Sequence, residues 1–447
     1  MVNLDVTILP AIGAFTAAIQ DFTAFPFYPG FPIRNVTKVA STLPSHSWEY
    51  GTATQMLLEL YNPEFSVFGA RPFPVPSLDK DHVRAMEYAF RTIKLGTGYN
   101  ALAAGEGSSG DPASLGVGAV LLGKRNATYA RAAKETVDGL LNDVPRFSNG
   151  AISHRFSVAE LWADFMYMAP PFLAYYAADT DDAELLQESV RQSKLYREIL
   201  QDPSTGVWRH IIGPQSQDVG LWSTGNAWAA AGMCRILATI TKAPVARTAP
   251  WRNGLINEIT GYIKEIVDGA IASPHDDGLL RNYYYGTGSN RAWGEISGST
   301  LIASVVYRMA VLQPGIFAQG SYIRWADGIK ETISGNDEDG KAHVTPEGIV
   351  RPAVNPLDWW DVNKFERGSP EGNAFTVLLY TAWRDCVLAH RCRNPDAEPQ
   401  GPGSDAGVAA EAGEASDATR RDVEGRSVPV ARSHEIYRRN MNMMRQH

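Results

Sequence analysis

One acidic residue, Asp164, stands in the middle of a strongly aromatic stretch of this sequence. Trp162 precedes it, residues 165–167 are Phe-Met-Tyr, and segment 157–180 reads SVAELWADFMYMAPPFLAYYAADT. Burial among apolar groups raises the pKa of a carboxyl group, because the charged form loses its hydration. An acid with a raised pKa can donate a proton at neutral pH. The alternative is a structural acid, either at the solvent edge of a core helix or paired with a buried arginine.

A second carboxyl group, that of Asp111, follows a glycine-rich loop and directly precedes Pro112. This order predicts a helix N-cap with proline at the first helical position. Asp111 could serve only as a cap, or as a cap and as a second carboxylate at the mouth of a site.

Two histidines stand close to arginines: His154 precedes Arg155, and His210 follows Arg209 in a short strand candidate. A histidine beside an arginine can bind an anion or orient an acid. His154 and Arg155 could equally be ordinary surface residues, and the short strand candidate at 206–210 could present Trp208 or His210 to the mouth of a site.

The block LWSTGNAW at 221–228 combines two tryptophans with short polar side chains. Trp222 and Trp228 bracket Thr224 and Asn226, and a glycine between the polar residues permits a tight turn into a helix. Indole faces stack on sugar rings, while hydroxyl and amide groups bind sugar hydroxyls. Taken singly, either tryptophan could instead belong to the core.

The elements that must position these residues are mainly helical. Apolar spacing and turn signals predict twelve helices, with strand signals only near 207–212, 279–285 and 342–350. Ser157 and Glu160 have the spacing of a capping box for the helix that contains Asp164. The predicted helices are 34–43, 46–61, 80–96, 112–122, 126–143, 157–178, 181–200, 225–242, 250–270, 296–312, 318–334 and 371–391.

Twelve helices with few strands indicate an all-α protein in which antiparallel helix pairs close into an (α/α)6 barrel. An open helical solenoid is the alternative, although the sequence shows no fixed-period repeat. Residues 1–33 read as an irregular, proline-rich lead-in, and 34–393 as the barrel. Residues 394–447 lack apolar periodicity and predict a disordered tail.

The composition of the chain restricts the kinds of partner and cofactor that the protein can bind. The net charge of -8 argues against nucleic acid, which needs a basic surface. No apolar run reaches the roughly 18 residues of a membrane span. No nucleotide-binding loop or serine-hydrolase elbow is present, and no Cys/His cluster has zinc-site spacing, so we expect neither cofactor nor metal. Oligomeric state cannot be read from the sequence.

Cysteines and sequons bear on the compartment. With three cysteines there is no disulfide framework, although Cys386 and Cys392 could bridge each other or remain free thiols. Sequons at Asn35 and Asn126 would suit a secreted chain, whereas the apolar segment 6–20 lacks the basic residues of a signal sequence. We expect an extracellular protein, with a cytoplasmic one as the alternative.

Several blocks resemble the unsaturated uronyl hydrolases of glycoside hydrolase families 88 and 105. The blocks occur in the family's order and read LWADFMYMAPPFLAYYA, WSTGNAWAAAGM, SGSTLIASVVYRMA and GSPEGNAF. The similarity covers about residues 34–392 and is greatest to a fungal branch, whose members carry stretches like SWEYGTATQMLLELY and GDPASLGVGAVLL. The family fold is an (α/α)6 barrel.

By resemblance, Asp164 matches the family's general acid and base, and Asp111 its second carboxylate. His154 and His210 resemble histidines near the substrate, while Trp222, Asn226 and Trp228 resemble a sugar-binding block. Trp48 falls in a block near the family's site, and Glu371 follows a turn that could border the pocket.

One position departs from the pattern. Rhamnogalacturonyl members typically carry Arg in W-x-R-G-N-x-W, where this chain has Thr224. Arg155 or Arg209 could replace that cation, or neutral donors could hold the substrate.

The resemblance implies an enzyme that removes a 4,5-unsaturated uronic acid from the non-reducing end of lyase-generated oligosaccharides, by acid-catalysed hydration of the double bond. Two alternatives remain: an inverting glycosidase acting on a saturated sugar through Asp164 and Asp111, and a non-catalytic carbohydrate-binding barrel.

Overall fold

Helix-forming segments follow one another through the part of the chain that the computed structural model describes, residues 23–394. These residues belong to one unit, Met1–Pro395. Residues 1–22 and 395–447 lie outside the described part, and with them most of the predicted lead-in and nearly all of the predicted tail.

The helices that lie wholly within residues 23–394 are named in chain order. They are α1 (Ile33–Thr42), α2 (Ser47–Tyr61), α3 (Arg84–Thr92), α4 (Gly110–Ala113), α5 (Gly116–Gly123), α6 (Ala127–Asn142), α7 (Phe165–Thr180), α8 (Ala183–Leu200), α9 (Ser223–Lys242), α10 (Arg252–Ala272), α11 (Ile296–Leu312), α12 (Pro314–Phe317), α13 (Gly320–Ile333) and α14 (Pro370–Leu388). Short 3-10 turns occur at Pro63–Phe65, Gly98–Asn100 and Pro244–Ala246.

The helices form an inner and an outer ring. Helices α2, α5, α7, α9, α11 and α14 contact one another in that order, and α14 packs back on α2 to close the inner ring. An outer helix packs on each of them, namely α3, α6, α8, α10, α13 and α1 in the same order. The prediction of an all-α, (α/α)6 barrel is therefore confirmed.

Burial follows this arrangement. Every residue of α9 from Ser223 to Ile240 is buried, because an inner helix meets protein on all sides. The outer helix α8 buries one face only. Every predicted helix is present, although the ends of several differ by a few residues, and 112–122 is divided into α4 and α5.

Strands are short and lie in the connections. Strand β1 (Leu161–Trp162) pairs antiparallel with β2 (Ile211–Ile212), with Leu161 opposite Ile212. Strand β3 (His275–Asp276) pairs antiparallel with β4 (Leu279–Leu280). The predicted strand at 342–350 is represented by an isolated bridge between Val344 and Val350.

The predicted capping box before α7 is wrong. Helix α7 begins at Phe165, and residues 157–160 are irregular. The buried Glu160 carboxylate instead accepts hydrogen bonds from the backbone N–H groups of Gln215 and Ser216, both at 2.7 Å. A bond across the β1–β2 connection therefore replaces the local cap that the sequence spacing suggested.

Two prolines inside α7, Pro170 and Pro171, are accommodated by α9. Proline has no backbone N–H, so Pro171 leaves the carbonyl of Tyr167 without its helical donor. Arg235 of α9 donates to that carbonyl at 2.9 Å. Gly232 lies against the carbonyl of Met166, which Pro170 leaves unpaired, and a Cβ built at Gly232 would come within 1.9 Å of that oxygen.

Cys386 and Cys392 form a disulfide at the end of α14, which decides between the two alternatives for this pair. Cys234 is a free, buried thiol. In the part of the chain that the structure describes, no helix is both long enough and apolar enough to cross a bilayer.

Candidate active site

The N-terminal ends of the inner helices surround one cleft. Trp48 is the second residue of α2, Asp111 lies in α4, Asp164 directly precedes α7, Trp222 precedes α9, and Glu371 is in the first turn of α14. The cleft has a volume of about 250 Å³ and opens to solvent, so a sugar residue can enter it. Its other lining residues are His154, Arg155, Trp162, Met168, His210, Asn355, Pro356, Leu357 and Trp359.

Asp164 is placed at the start of α7, but its carboxyl group does not cap the helix. Its Oδ2 atom is buried and has no hydrogen-bond partner within the described residues, and it lies 3.6 Å from Nε2 of His210. Burial raises the pKa of Asp164, and the nearby His210 opposes part of that rise. The acid predicted from the sequence is thus a protonatable group that faces the cleft.

His210 is oriented by residues behind it. Its Nδ1 atom lies 3.0 Å from Oδ2 of Asp218, and the hydroxyl of Tyr283 donates to the same oxygen at 2.6 Å. Burial would raise the pKa of Asp218, but the hydrogen bonds from His210 and Tyr283 outweigh it and hold the pKa at about 2. Because ionised Asp218 accepts from Nδ1–H, the ring of His210 is oriented with Nε2 towards Asp164.

Asp111 reaches the cleft from α4, which packs against α7. The cap prediction for this residue is wrong, because Ser109 occupies the N-cap position and Asp111 is the second residue of α4. Its Oδ1 atom lies 3.7 Å from Nε2 of His154. Burial, the charge of Glu106 and the charge of Asp164 raise the pKa of Asp111 to about 7. Asp111 and Asp164 are therefore electrostatically coupled carboxyl groups in one site.

His154 is a neutral partner of this pair. Burial, with the neighbouring charges of Arg155 and His210, lowers its pKa to about 3. Its ring stacks on Trp162 with 4.9 Å between centroids. The guanidinium of Arg155 also lies on Trp162, 4.8 Å from the ring centre. Trp162 thereby holds both side chains against the wall of the cleft.

Arg155 is the cation that lines the cleft among the described residues. Its guanidinium has no hydrogen-bond or ion-pair partner within residues 23–394, which leaves it available to an anion. Arg209, the other arginine considered from the sequence, lies outside the lining and donates to the Gln201 carbonyl and the Asp202 carboxylate. The geometry therefore favours Arg155 over Arg209 as a substitute for the cation absent at Thr224.

Trp48 and Glu371 form a connected pair on the far side of the cleft. The indole N–H of Trp48 donates to Oε1 of Glu371 at 2.9 Å. Oε2 of Glu371 is buried and has no partner in the described part of the chain. Burial and the charges of Glu49 and Asp164 raise the pKa of Glu371 well above its usual range.

The tryptophan block at 221–228 is only partly in the cleft. Trp222 lines it, 4.2 Å from the ring of His210, and donates its indole N–H to Asn282 at 2.9 Å. Trp228 is in the core between Tyr167 and Phe375. An inner helix turns successive side chains in different directions, so only one of the two indoles can face the opening.

Thr224 and Asn226 also lie beneath the cleft rather than in it. The Thr224 hydroxyl donates to Glu295, which caps α11. The Asn226 amide accepts from the backbone N–H of Trp208 at 2.6 Å and donates to its carbonyl at 2.8 Å. The sequence analysis predicted that both residues bind the sugar. In the structure neither lines the cleft, and both instead support neighbouring backbone and side chains.

Some cleft residues were not identified from the sequence. Asp218 orients His210 from only eight residues away, but the turn between them carries no recognised motif, and Tyr283 is 65 residues from Asp218. The loop that contains Asn355 and Trp359 does carry one: two adjacent tryptophans, Trp359 and Trp360, in a segment without helical spacing. In residues 23–394, no group of three or more His, Cys, Asp or Glu side chains could hold a metal ion.

Comparison with known proteins decides the family. The family profile described as Glycosyl Hydrolase Family 88 matches residues 120–383, more than half of the chain. The chain belongs to this family. As a family 88 member it is a glycosidase, which sets aside the non-catalytic alternative.

Two further similarities agree with this assignment. An unsaturated rhamnogalacturonyl hydrolase, YesR of Bacillus subtilis, is 29% identical over 121 residues, a match that spans 25% of this chain and 35% of the relative. The crystal structure of a possible member of the GH105 family from Salmonella enterica superposes with a TM-score of 0.60 at 15% identity, covering 79% of this chain and 93% of that one.

A second solved structure is the unsaturated glucuronyl hydrolase from Bacillus sp. GL1, with a TM-score of 0.55 and 14% identity over 81% of this chain and 96% of that one. At these identities the two structures show that the six-hairpin fold is shared. The relatives come from bacteria, and the resemblance of this family 88 enzyme to a fungal branch remains a prediction.

Proposed function

We propose that this glycosidase removes a 4,5-unsaturated uronic acid from the non-reducing end of an oligosaccharide. Asp164 would be the general acid and base. The observation that carries this function is the buried, unpartnered carboxyl oxygen of Asp164, which faces a cleft that a sugar residue can enter. The names of the relatives, unsaturated rhamnogalacturonyl and glucuronyl hydrolases, support the same substrate class.

The reaction begins with proton transfer from Asp164 to C4 of the C4=C5 double bond. Positive charge then develops at C5 and on the ring oxygen, and the ionised carboxylate stabilises it. The carboxylate next takes a proton from a water molecule that attacks C5, so Asp164 returns to its protonated form. The resulting hemiketal opens and releases the neighbouring sugar.

Its surroundings adapt Asp164 to both steps. Burial favours the protonated acid before the reaction, and His210 at 3.6 Å favours the carboxylate after proton transfer. Asp111, with its pKa raised to about 7, is electrostatically coupled to Asp164. A group whose pKa lies near the working pH can both donate and accept a proton efficiently.

Arg155 would hold the carboxylate of the unsaturated uronic acid. It lines the cleft and has no partner in the described part of the chain, and its planar fork matches a carboxylate. The N-terminal ends of α7, α9 and α14 surround the same cleft, and helix N-termini carry partial positive charge. An anionic sugar therefore meets a favourable potential there, despite the net charge of the chain.

Asp164→Asn tests the mechanism. The amide cannot donate a proton to C4, so turnover should fall by at least about a thousandfold, measured as loss of the ultraviolet absorbance of the double bond. In D2O, the wild-type product should carry deuterium at C4, which mass spectrometry detects. Asp138→Asn, at an exposed acid of the outer helix α6, is the matched control. Wild-type-like turnover by Asp164→Asn would reject Asp164 as the acid.

An inverting glycosidase acting on a saturated sugar is the second candidate, because Asp111 and Asp164 are two protonatable carboxyl groups in one cleft. Such an enzyme needs its carboxyl groups about 6.5–9.5 Å apart, with water between them. It would cleave a saturated glycoside and leave no deuterium at C4. Turnover of only the unsaturated substrate excludes it.

A further inference from the structure

The cleft continues outward along a loop that presents two stacked tryptophans. The backbones of Ala353 and Phe365 pair with hydrogen bonds of 3.0 and 2.9 Å and close the loop at its base. The indole N–H of Trp293 donates to the carbonyl of Val362 at 2.9 Å, and Asn355 donates to Asp361 at 3.1 Å. Three sets of hydrogen bonds therefore fix the loop: between Ala353 and Phe365, at Val362, and between Asn355 and Asp361.

Trp359 belongs to the wall of the cleft. Its ring lies 5.7 Å from Trp162 and 6.3 Å from His210, in both cases edge to face. Since His210 lies beside Asp164, one ring separates Trp359 from the acid. Trp359 therefore stands next to the reacting sugar, on the side where the cleft opens.

Trp360 extends this wall into solvent. Its ring stacks on Trp359 with 3.9 Å between centroids and an angle of 30° between the planes. Trp360 is 66% exposed, and Leu357 on the same loop is 56% exposed and lines the cleft. Exposed apolar side chains of this kind, next to a binding cleft, indicate a contact surface for a ligand. The C–H face of a sugar ring matches an indole face.

We infer that Trp360 binds the second sugar beyond the unsaturated uronic acid of the oligosaccharide. This inference rests on the function proposed above. Trp359 contacts the sugar next to the scissile bond, and Trp360 contacts the one after it. The enzyme therefore prefers an unsaturated tetrasaccharide to the disaccharide of the same series. The exposed leucine and indole side chains of the loop favour apolar sugar faces at these positions, whereas the uronate is held by Arg155 at the inner end.

The test compares kcat/KM for the unsaturated tetrasaccharide and disaccharide from one lyase digest. In Trp360→Ala the ratio of the two values should fall by about three- to tenfold, because one stacking contact is lost for the longer substrate alone. Trp360→Phe keeps a flat apolar face and should restore most of the ratio. Tyr28→Ala, at a side chain that is 62% exposed outside the cleft, should keep the wild-type ratio. A wild-type ratio in Trp360→Ala overturns the inference.

If the wild-type enzyme turns over neither saccharide, the proposed function fails, and calorimetry of the same saccharides decides the binding site separately. A weaker tetrasaccharide affinity in Trp360→Ala, with disaccharide affinity affected less, would still support this role of Trp360. Equal tetrasaccharide affinities in wild type and variant would overturn it.

Discussion

Burial controls the chemistry of single residues in this cleft. Asp111, Asp164 and Glu371 all have raised pKa values, and burial is the largest cause for each. The charge of Asp164 also raises the pKa values of Asp111 and Glu371. Asp218, by contrast, remains ionised because His210 and Tyr283 donate to it. One site thus contains acids with raised pKa values and an acid whose pKa is lowered.

The raised pKa of Asp111 predicts a stability that depends on pH. The unfolded-state pKa is near 3.8 and the folded-state pKa about 7, so the native state binds more protons between these values. Stability of the wild type should therefore fall as the pH rises from about 4 to about 7. Asp111→Asn removes this dependence and should be more stable than the wild type at pH 8, by an amount on the order of a few kcal/mol.

Urea unfolding at pH 4 and pH 8 measures this effect. The stability gain of Asp111→Asn should be small at pH 4 and full at pH 8, whereas the exposed control Asp138→Asn should show no such change. A gain of the same size at both pH values would contradict the assignment.

Arg155 and Arg209 give a paired test of substrate holding. Arg155→Met should raise KM for the unsaturated substrate by about 10- to 100-fold, because a charge-assisted hydrogen bond to the uronate is lost. Arg209→Met changes the same residue type, but Arg209 binds Gln201 and Asp202 outside the cleft. Steady-state kinetics of both variants measure the difference. Equal KM values in Arg155→Met and Arg209→Met would remove Arg155 from the site.

At the scale of elements, the contact between α7 and α9 sets the position of the acid. Asp164 directly precedes α7, and Pro170 and Pro171 leave two carbonyls of that helix without backbone donors. Arg235 of α9 donates a hydrogen bond to one of these carbonyls. Gly232 of α9 has no side chain and leaves space for the other. The helix that carries Asp164 is therefore fixed by its neighbour rather than by its own hydrogen bonds at this point.

Gly232→Ala tests this contact. Its Cβ would lie 1.9 Å from the Met166 carbonyl oxygen, so α7 and α9 must move apart. We expect a loss of stability of about 1–3 kcal/mol and a lower kcat, measured by urea unfolding and by steady-state kinetics. Gly254→Ala on the outer helix α10 meets no atom within 4 Å and should be neutral or stabilising. A neutral Gly232→Ala would show that the contact is not tight.

At the scale of the whole molecule, a buried ionic cluster joins the first and last helices of the inner ring. Arg308 of α11 donates to Glu59 of α2 at 2.7 Å and to Asp385 of α14 at 2.5 Å. Arg384 of α14 donates to the carbonyls of Leu60 and Glu59. The cluster lies where α14 meets α2, the contact that closes the toroid.

Arg308→Met should weaken the contact between α2 and α14 and lower the stability of the protein. Removing the cation leaves the Glu59 carboxylate buried without its charged partner, which costs on the order of 3–5 kcal/mol. Urea unfolding measures the loss. Lys134→Met, in the exposed Lys134–Asp138 pair of α6, should give no measurable change. Similar stabilities of the two variants would show that the ring closes through apolar packing alone.

Some features follow from the sequence because their causes are local. Apolar spacing and turn residues fix where each helix occurs, so the twelve predicted helices and the barrel follow from the chain itself. Asp164 was identifiable because its aromatic neighbours adjoin it in sequence. The ends of elements were less predictable: Ser157 and Asp111 have good capping chemistry, but other hydrogen bonds compete for the same backbone.

Only the tertiary structure decided which side chains share the cleft. A helix repeats every 3.6 residues, so Trp222 faces the opening while Trp228, six positions later, packs in the core. Tyr283 and Trp359 approach Asp218 and His210 from distant parts of the chain. Ring closure brings them together, and no spacing in the sequence encodes that contact. The sequence therefore identified candidate residues by their type, whereas their roles depend on distances that exist only in the folded barrel.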